Sequence, residues 1–162
     1  MRYSVEKATM RDVSAILPIY EKAREIMRSS GNPNQWGTTN PPVERLLEDI
    51  NKGQLYVITE AGTIHGAFAL VPGEDPTYRT IYDGSWSRGC PYYTIHRLAG
   101  DGSGGIFRAC MECCRGTSDY LRIDTHRDNR IMQHLLEKAG FRRCGIIHLL
   151  NGEERIAYDK EI

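Results

Sequence analysis

The sequence has no excess of charge of either sign, because 21 Lys and Arg residues balance 21 Asp and Glu residues among 162. Nucleic-acid binders usually carry a basic surplus that releases counterions, so that class is not favoured. No apolar run reaches the length of about 20 residues that spans a bilayer. The N-terminal residues show no signal-peptide pattern. We therefore expect a cytoplasmic protein with no nucleic-acid or membrane partner.

The sequence also lacks a metal-binding or disulfide pattern. It has five cysteines, an odd number, which together with the absent secretory signal favours reduced thiols. Cys110 and Cys113 form a CxxC pair, but they lie in a predicted helix, where the i, i+3 spacing places both on one packed face. No second pair or histidine pair follows at zinc-finger spacing. We expect these thiols to pack in the core and no metal to bind.

No internal repeat or domain-sized linker interrupts the chain, and its length predicts one domain over residues 1–162. A capping-box pattern at Thr9 and Asp12 precedes the first helical stripe. Turn signals at Ala61-Gly62 and Asn151-Gly152 predict two hairpins. Strands are predicted over 2–8, 54–60, 63–71, 92–99, 120–126, 142–149 and 154–160, and helices from 9 to about 30 and over 43–51, 106–115 and 129–139. The predicted fold class is α/β (α+β), with four helices packed on a mixed, mostly antiparallel sheet of about seven strands.

A glycine-rich loop, Gly100–Gly105, joins a predicted strand to a predicted helix. Such a loop presents backbone N–H groups to a phosphate. One interpretation is the dinucleotide fingerprint Gly100-x-Gly102-x-x-Gly105, with Asp124 near the offset of a ribose-binding acid. That fingerprint normally opens a series of βαβ units, whereas this loop lies past the middle of the chain. A phosphate cradle of another kind, or a loop that merely turns the chain, are the alternatives.

The order of elements and several motifs resemble the GCN5-related N-acetyltransferase (GNAT) family over essentially the whole chain. The resemblance depends on Ile95–Ala99, the glycine loop, Leu121–His126 with the following Asp128-Asn129, and Met132–Phe141. It implies acetyl-CoA as co-substrate, an open slot between the fourth and fifth strands, and direct acetyl transfer to a primary amine of a small molecule, amino acid or peptide. A homodimer and no metal are further expectations.

By the same resemblance, the main-chain amides of Leu98 and Ala99 would stabilise the oxyanion, and the loop amides would bind the coenzyme pyrophosphate. The implied cofactor-binding residues are Leu98, Ala99, Gly102, Ser103, Gly104, Gly105, Ile106, Phe107, Asn129, Gln133 and Leu136. Three of them depart from the family pattern. Gly102 stands where an Arg or Gln is usual, Phe107 where a small residue is usual, and Leu136 where many members carry a Tyr that protonates the thiolate.

A base must deprotonate the acceptor ammonium. His96 is the first candidate, since an unperturbed histidine titrates near pH 6.5, and Asp124 and His126 are the second. The structural alternatives are a half-buried strand histidine at 96 and helix capping by Asp128.

Aromatic residues of two long irregular segments are candidates for binding the acceptor, with ordinary loop anchoring as the alternative. They are Trp36, Tyr78, Tyr82 and Trp86. Two other functions stay open: a non-catalytic acyl-CoA-binding module of the same fold, and a nicotinamide- or flavin-linked oxidoreductase.

Overall fold

The structure, a computed structural model, describes residues 2–162. The strands are β1 (Ser4–Lys7), β2 (Leu55–Glu60), β3 (Thr63–Pro72), β4 (Tyr93–Gly100), β5 (Tyr120–Thr125), β6 (Arg142–His148) and β7 (Glu154–Glu161), and the helices are α1 (Val13–Ser29), α2 (Val43–Asn51), α3 (Ile106–Arg115) and α4 (Arg130–Lys138). The predicted element order is confirmed, and α2 and α3 have the predicted bounds. The predicted capping box is present, with Thr9 N–H donating to Asp12 Oδ2 at 2.8 Å, but it begins a 3₁₀ turn that precedes α1.

The seven strands form one sheet in the order β1-β2-β3-β4-β5-β7-β6. The β4–β5 pair is parallel, with Tyr93 opposite Leu121 and Thr94 opposite Arg122. The β1–β2, β2–β3, β5–β7 and β6–β7 pairs are antiparallel. The predicted α+β class is therefore confirmed. The dinucleotide interpretation is wrong as to fold, because its doubly wound sheet requires successive parallel strands.

The chain forms two compact units. Unit 1 comprises the described part of Met1–Leu70 with Ile95–Thr117, and unit 2 comprises Val71–Thr94 with Ser118–Ile162. That residues 1–162 act as a single domain stays a prediction.

In unit 1, α1 buries one face through Ile16, Ile19, Tyr20 and Ala23, whose spacing matches the helical period. Of the CxxC pair on α3, Cys110 is fully buried, as predicted, whereas Cys113 is only partly buried, so core packing is confirmed for Cys110 alone. Across residues 2–162 no group of three metal-ligating side chains is found. Within the same residues, no helix is both long and apolar enough to cross a membrane.

The core of unit 2 is aromatic and encloses a buried arginine. Tyr78, Tyr92 and Tyr120 belong to its main buried cluster. The Arg122 guanidinium carbon lies 4.0 Å from the Tyr92 ring centroid and 4.1 Å from that of Trp86, a cation–π arrangement. These contacts anchor the long segment 72–91, which is irregular as predicted except for a 3₁₀ turn at Pro76–Tyr78.

Candidate functional site

The glycine loop of unit 1 is exposed and contains unpaired backbone donors. Gly102, Gly104 and Gly105 are all exposed. Their N–H groups have no hydrogen-bond partner among the residues that the structure describes. Gly105 has a φ of +88° and is the N-cap of α3, with no side chain to cap the helix. Free N–H groups at a helix N-terminus carry partial positive charge, so this loop can bind a phosphate or another anion.

The shape of the loop is fixed by contacts inside unit 1. The Ser103 N–H donates to Asp101 Oδ1 at 3.0 Å, and the other carboxylate oxygen of Asp101 lies 2.8 Å from His65 Nδ1. Partial burial by itself raises the pKa of the Asp101 carboxyl, but the hydrogen bonds from Ser103 and the pairing with His65 outweigh it and lower the pKa. The Gly104 carbonyl accepts a hydrogen bond from Tyr3 Oη at 2.8 Å. The loop is therefore held by one of its own side chains, Asp101, and by Tyr3 and His65 from outside it.

A glycine of β3, Gly66, packs closely against the end of β4 and the first residue of α3. A Cβ atom at Gly66 would lie 2.9 Å from Ile106 Cγ2 and 3.0 Å from the Ala99 carbonyl oxygen. No side chain fits in that space. Gly66 thus allows the end of β4 and the first residue of α3 to approach β3, which positions both ends of the glycine loop.

The backbone of β4 departs from strand geometry one residue before the proposed oxyanion donors. Arg97 has a φ of +54°, in the left-handed region. A non-glycine residue held there costs about 1–3 kcal/mol and persists only where its surroundings fix it. Tyr20 Oη donates to the Arg97 carbonyl at 2.6 Å, and the guanidinium donates to both carboxylate oxygens of Asp49 at 2.7 and 3.0 Å. The irregular backbone next to Leu98 and Ala99 is therefore stabilised by Tyr20 and Asp49.

Sequence reasoning missed that support, although one signal was present. Asp49 follows Leu46 by three residues in α2, so it lies on the apolar face of that helix, and it is 1 % exposed. A carboxylate on a buried face needs a buried partner. No signal in the sequence identifies Arg97 or Tyr20 as its neighbours.

Two other predicted residues of unit 1 are half-buried. His96 lies on β4 beside Arg97. The Trp36 ring centroid is 5.7 Å from that of Tyr20. Trp36 therefore packs against the same tyrosine that binds the Arg97 carbonyl.

In unit 2, hydrogen bonds join three of the predicted residues, Tyr78, Trp86 and Asp124. The sequence makes Tyr78 a candidate for binding the acceptor, but it is 1 % exposed, so it anchors the loop on the core, which is the alternative. Its hydroxyl donates to Asp124 Oδ2 at 2.6 Å, and Trp86 Nε1 donates to the Tyr78 carbonyl at 3.0 Å. Burial, followed by the Asp124 charge, raises the pKa of Tyr78, so the phenol stays protonated. Tyr82 is 47 % exposed and stacks on His148, with the ring centroids 4.6 Å apart.

His126 and Asn129 shape the turn between β5 and α4. The Asp128 N–H donates to His126 Nδ1 at 3.0 Å. Burial, then the positive charge of Arg155, lowers the pKa of His126, so its imidazole is neutral at pH 7. Asn129 Oδ1 accepts the Met132 N–H at 3.0 Å and caps α4. The alternative in which Asp128 caps this helix is wrong.

The remaining residues predicted on α4 are Gln133, which is half-buried, and Leu136. Gln133 Nε2 donates to the carbonyls of Arg127 and His126 at 2.9 and 3.3 Å. Leu136 is fully buried. The position where the family often carries a tyrosine is therefore filled by core packing in this chain.

Comparison with known proteins gives structural matches only. No protein-family model and no curated protein sequence matches the chain. A GNAT-family acetyltransferase from Streptococcus agalactiae 2603 is 28 % identical, with a TM-score of 0.89 over 99 % of this chain and 95 % of that one.

Two further solved structures share the fold at lower identity. A GNAT-family acetyltransferase from Listeria monocytogenes 4b F2365 is 19 % identical, with a TM-score of 0.68 over 99 % of this chain and 95 % of its own. The ribosomal-protein-alanine N-acetyltransferase of Brucella melitensis is also 19 % identical, with a TM-score of 0.63 over 98 % of this chain and 99 % of its own. The structural neighbours are acetyltransferases, which supports acyl transfer as the general activity. The resemblance of this chain to the GCN5-related N-acetyltransferase family is thus confirmed over nearly its whole length.

Proposed function

We propose that the protein is an acetyl-CoA-dependent N-acetyltransferase that transfers the acetyl group directly to a primary amine. The observation that carries the proposal is the exposed glycine loop, whose free N–H groups at the start of α3 suit a diphosphate. The 28 % identical GNAT acetyltransferase, matched over 99 % of the chain, supports the same conclusion.

In this proposal, the coenzyme pyrophosphate binds at Gly102–Phe107. The N–H groups of the three glycines there have no partner within residues 2–162, while that of Ser103 already donates to Asp101. Gly102 contributes no charge at this position, so backbone donors and the α3 N-terminus carry the binding. Phe107 is half-buried, which leaves the exposed Gly104 and Gly105 as the closest approach for phosphate. Asn129 and Gln133 of α4 are the proposed further contacts to the coenzyme, whereas Leu136 is fully buried and supports α4 from the core.

The reaction begins when a base takes one proton from the acceptor ammonium. The neutral amine nitrogen then attacks the thioester carbonyl, and the carbonyl oxygen becomes an oxyanion. We assign the N–H groups of Leu98 and Ala99 as its donors. The attacking nitrogen then loses its second proton to solvent, and collapse of the intermediate breaks the C–S bond to give the amide and the coenzyme A thiolate. The thiolate takes a proton from solvent, since an ordinary thiol has a pKa near 8.5.

His96 is the proposed base, because it lies on β4 next to the irregular residue Arg97. Asp124 and His126 are the second candidates. His126 is neutral at pH 7, as a base must be, but its Nδ1 already accepts a hydrogen bond, which leaves Nε2 for any proton transfer. Asp124 accepts the Tyr78 hydroxyl through Oδ2, which leaves Oδ1 as the oxygen proposed to take a proton.

The acceptor is assigned only by class: a primary amine of a small molecule, amino acid or peptide. The name of the Brucella melitensis neighbour includes the alanine of a ribosomal protein, which makes peptide N-termini the first acceptors to assay. The half-buried Trp36 and Trp86 and the exposed Tyr82 are the proposed acceptor contacts. Tyr78 acts, in this proposal, by holding Asp124.

A non-catalytic acyl-CoA-binding module is the second candidate. The buried Leu136 favours it, because the usual thiolate-protonating tyrosine is replaced. The two functions differ in one assay. An acetyltransferase releases free coenzyme A thiol from acetyl-CoA when an amine, or a peptide with a free N-terminus, is added. A binding module releases no thiol with any amine.

The coenzyme site is tested by placing one negative charge in the loop. Gly104 and Gly89 are both exposed, lack a left-handed φ, and leave open space for a Cβ atom. At an effective dielectric constant of 20, two like charges 4 Å apart repel by about 4 kcal/mol, and by about 1 kcal/mol in water. Gly104→Glu should therefore weaken coenzyme A binding at least about tenfold, an amount equal to about 1.4 kcal/mol.

The matched control Gly89→Glu adds the same charge in the 72–91 segment and should leave the affinity within about twofold of wild type. Isothermal titration calorimetry with coenzyme A measures both variants. Equal affinity of Gly104→Glu and wild type would remove the glycine loop from the site. Thermal stabilisation by NADPH but not by acetyl-CoA would instead revive the oxidoreductase alternative.

A further inference from the structure

One hydroxyl group fixes the peptide plane that carries a proposed oxyanion donor. The carbonyl of Arg97 and the N–H of Leu98 belong to the same peptide group. In a planar trans peptide these two groups point in opposite directions. Tyr20 Oη donates to that carbonyl at 2.6 Å, so the hydroxyl also determines the direction of the Leu98 N–H.

The Tyr20 hydroxyl is itself fixed. Tyr20 is 1 % exposed on α1, and Trp36 packs against its ring. Burial raises the pKa of this phenol far above its usual value, so the hydroxyl remains a donor throughout the range in which the protein is assayed.

A second contact fixes the same residue through its side chain. Asp49 accepts hydrogen bonds from Arg97 Nε and Nη2, a bidentate pair, and a further one from Gln54 Nε2 at 2.9 Å. A planar guanidinium held at two points has little rotational freedom. The backbone carbonyl of Arg97 and its side chain are therefore both held while its φ is +54°.

We propose that Tyr20 and the Asp49–Arg97 pair are positioning residues that hold the Leu98 N–H in the direction required of an oxyanion donor. The inference rests on the proposed acetyl transfer and deepens it. Trp36, on the predicted acceptor segment, contacts Tyr20, and this contact links that segment to the β4 backbone within unit 1.

Tyr20→Phe is the primary test, because it keeps the ring and removes only the hydroxyl. The value of kcat for acetyl transfer should fall about 10–100-fold. Removing an oxyanion donor outright typically lowers kcat by about 100–1000-fold, and a misdirected donor should cost no more than the lower end of that range. KM for acetyl-CoA and Kd for coenzyme A should stay within about twofold, since the glycine loop is unchanged. In ¹⁵N NMR spectra, the Leu98 amide resonance should move while those of Gly102–Gly105 stay in place.

Two matched controls separate positioning from stability. Tyr158→Phe also removes a buried hydroxyl, but one without a hydrogen-bond partner among residues 2–162, so kcat should not change. Asp49→Asn should lower kcat as Tyr20→Phe does. Glu48→Gln, which alters an exposed carboxylate of the same helix that pairs with Lys52, should not.

The outcomes are distinct. A Tyr20→Phe variant with a lower Tm but wild-type kcat and an unmoved Leu98 resonance would overturn the inference and leave the proposed function intact. If the wild type binds coenzyme A and acetylates no amine, the proposed function fails. The Leu98 resonance then still decides whether Tyr20 positions this backbone: a shift in Tyr20→Phe supports the inference, and no shift overturns it.

Discussion

Replacing the glycines at the two ends of α3 by alanine should have opposite effects on stability. Gly105 before the helix has a φ of +88°, whereas Gly116 after it has a φ of −79°. An L-residue in the left-handed region costs about 1–2 kcal/mol. Against this, alanine in place of glycine lowers the entropy of the unfolded chain and stabilises by about 0.4–1 kcal/mol where the backbone permits it.

For Gly105→Ala the cost exceeds the gain by up to about 1.6 kcal/mol, so the free energy of unfolding falls. The new Cβ would also lie 3.3 Å from the Tyr3 ring, a tight contact that adds to the loss. For Gly116→Ala only the favourable effect remains, because its Cβ would lie 3.5 Å from the Cys113 carbonyl oxygen, an ordinary contact. In a chain of this length, 1 kcal/mol corresponds to about 2–4 °C in Tm.

Differential scanning calorimetry and urea unfolding measure both changes. The Tm of Gly105→Ala should fall by about 1–6 °C, and that of Gly116→Ala should rise by about 1–4 °C. Gly105→Ala should also weaken coenzyme A binding, because the methyl group projects from the loop proposed to hold the pyrophosphate. Equal destabilisation of the two variants would show that the left-handed conformation at Gly105 has no energetic consequence, and the account of the loop would be refuted.

Three further predictions concern single side chains. Leu136→Tyr should lower the free energy of unfolding by about 1–3 kcal/mol through overpacking without raising turnover, because residue 136 is fully buried; faster thiol release at an unchanged Tm would contradict this. His96→Gln should abolish the acidic limb of the pH profile of kcat/KM, and an unaltered limb would exclude His96 as the base. Burial by itself raises the pKa of Asp159, but hydrogen bonds from Ser87 and Tyr120 outweigh it and lower the pKa. The stability that this carboxylate adds is therefore present above pH about 3.9 and is lost as the pH falls through the lower folded value. Asp159→Asn should flatten that acid loss in urea unfolding, and parallel curves for variant and wild type would disprove it.

Much of the fold could be predicted because the evidence for it is local. The bounds of α2 and α3 follow from helical periodicity between strong breakers, and the two hairpins follow from their turn residues, Ala61-Gly62 and Asn151-Gly152. The glycine loop was identified from residues adjacent in the chain. The phosphate-binding proposal rests on six consecutive residues and on the helix that follows them.

The candidate site was less predictable where it depends on distant residues. The sequence by itself determined the order of elements, the loop and the resemblance to the acetyltransferases, since periodicity and turn chemistry involve neighbours along the chain. The tertiary structure alone decided that Arg97 adopts a left-handed conformation, that Tyr20 and Asp49 hold it, and that Tyr78 is buried. Tyr20 and Asp49 lie 77 and 48 positions from Arg97. A strained backbone held by such partners leaves no local pattern, because the free energy that stabilises it comes from contacts that exist only after folding.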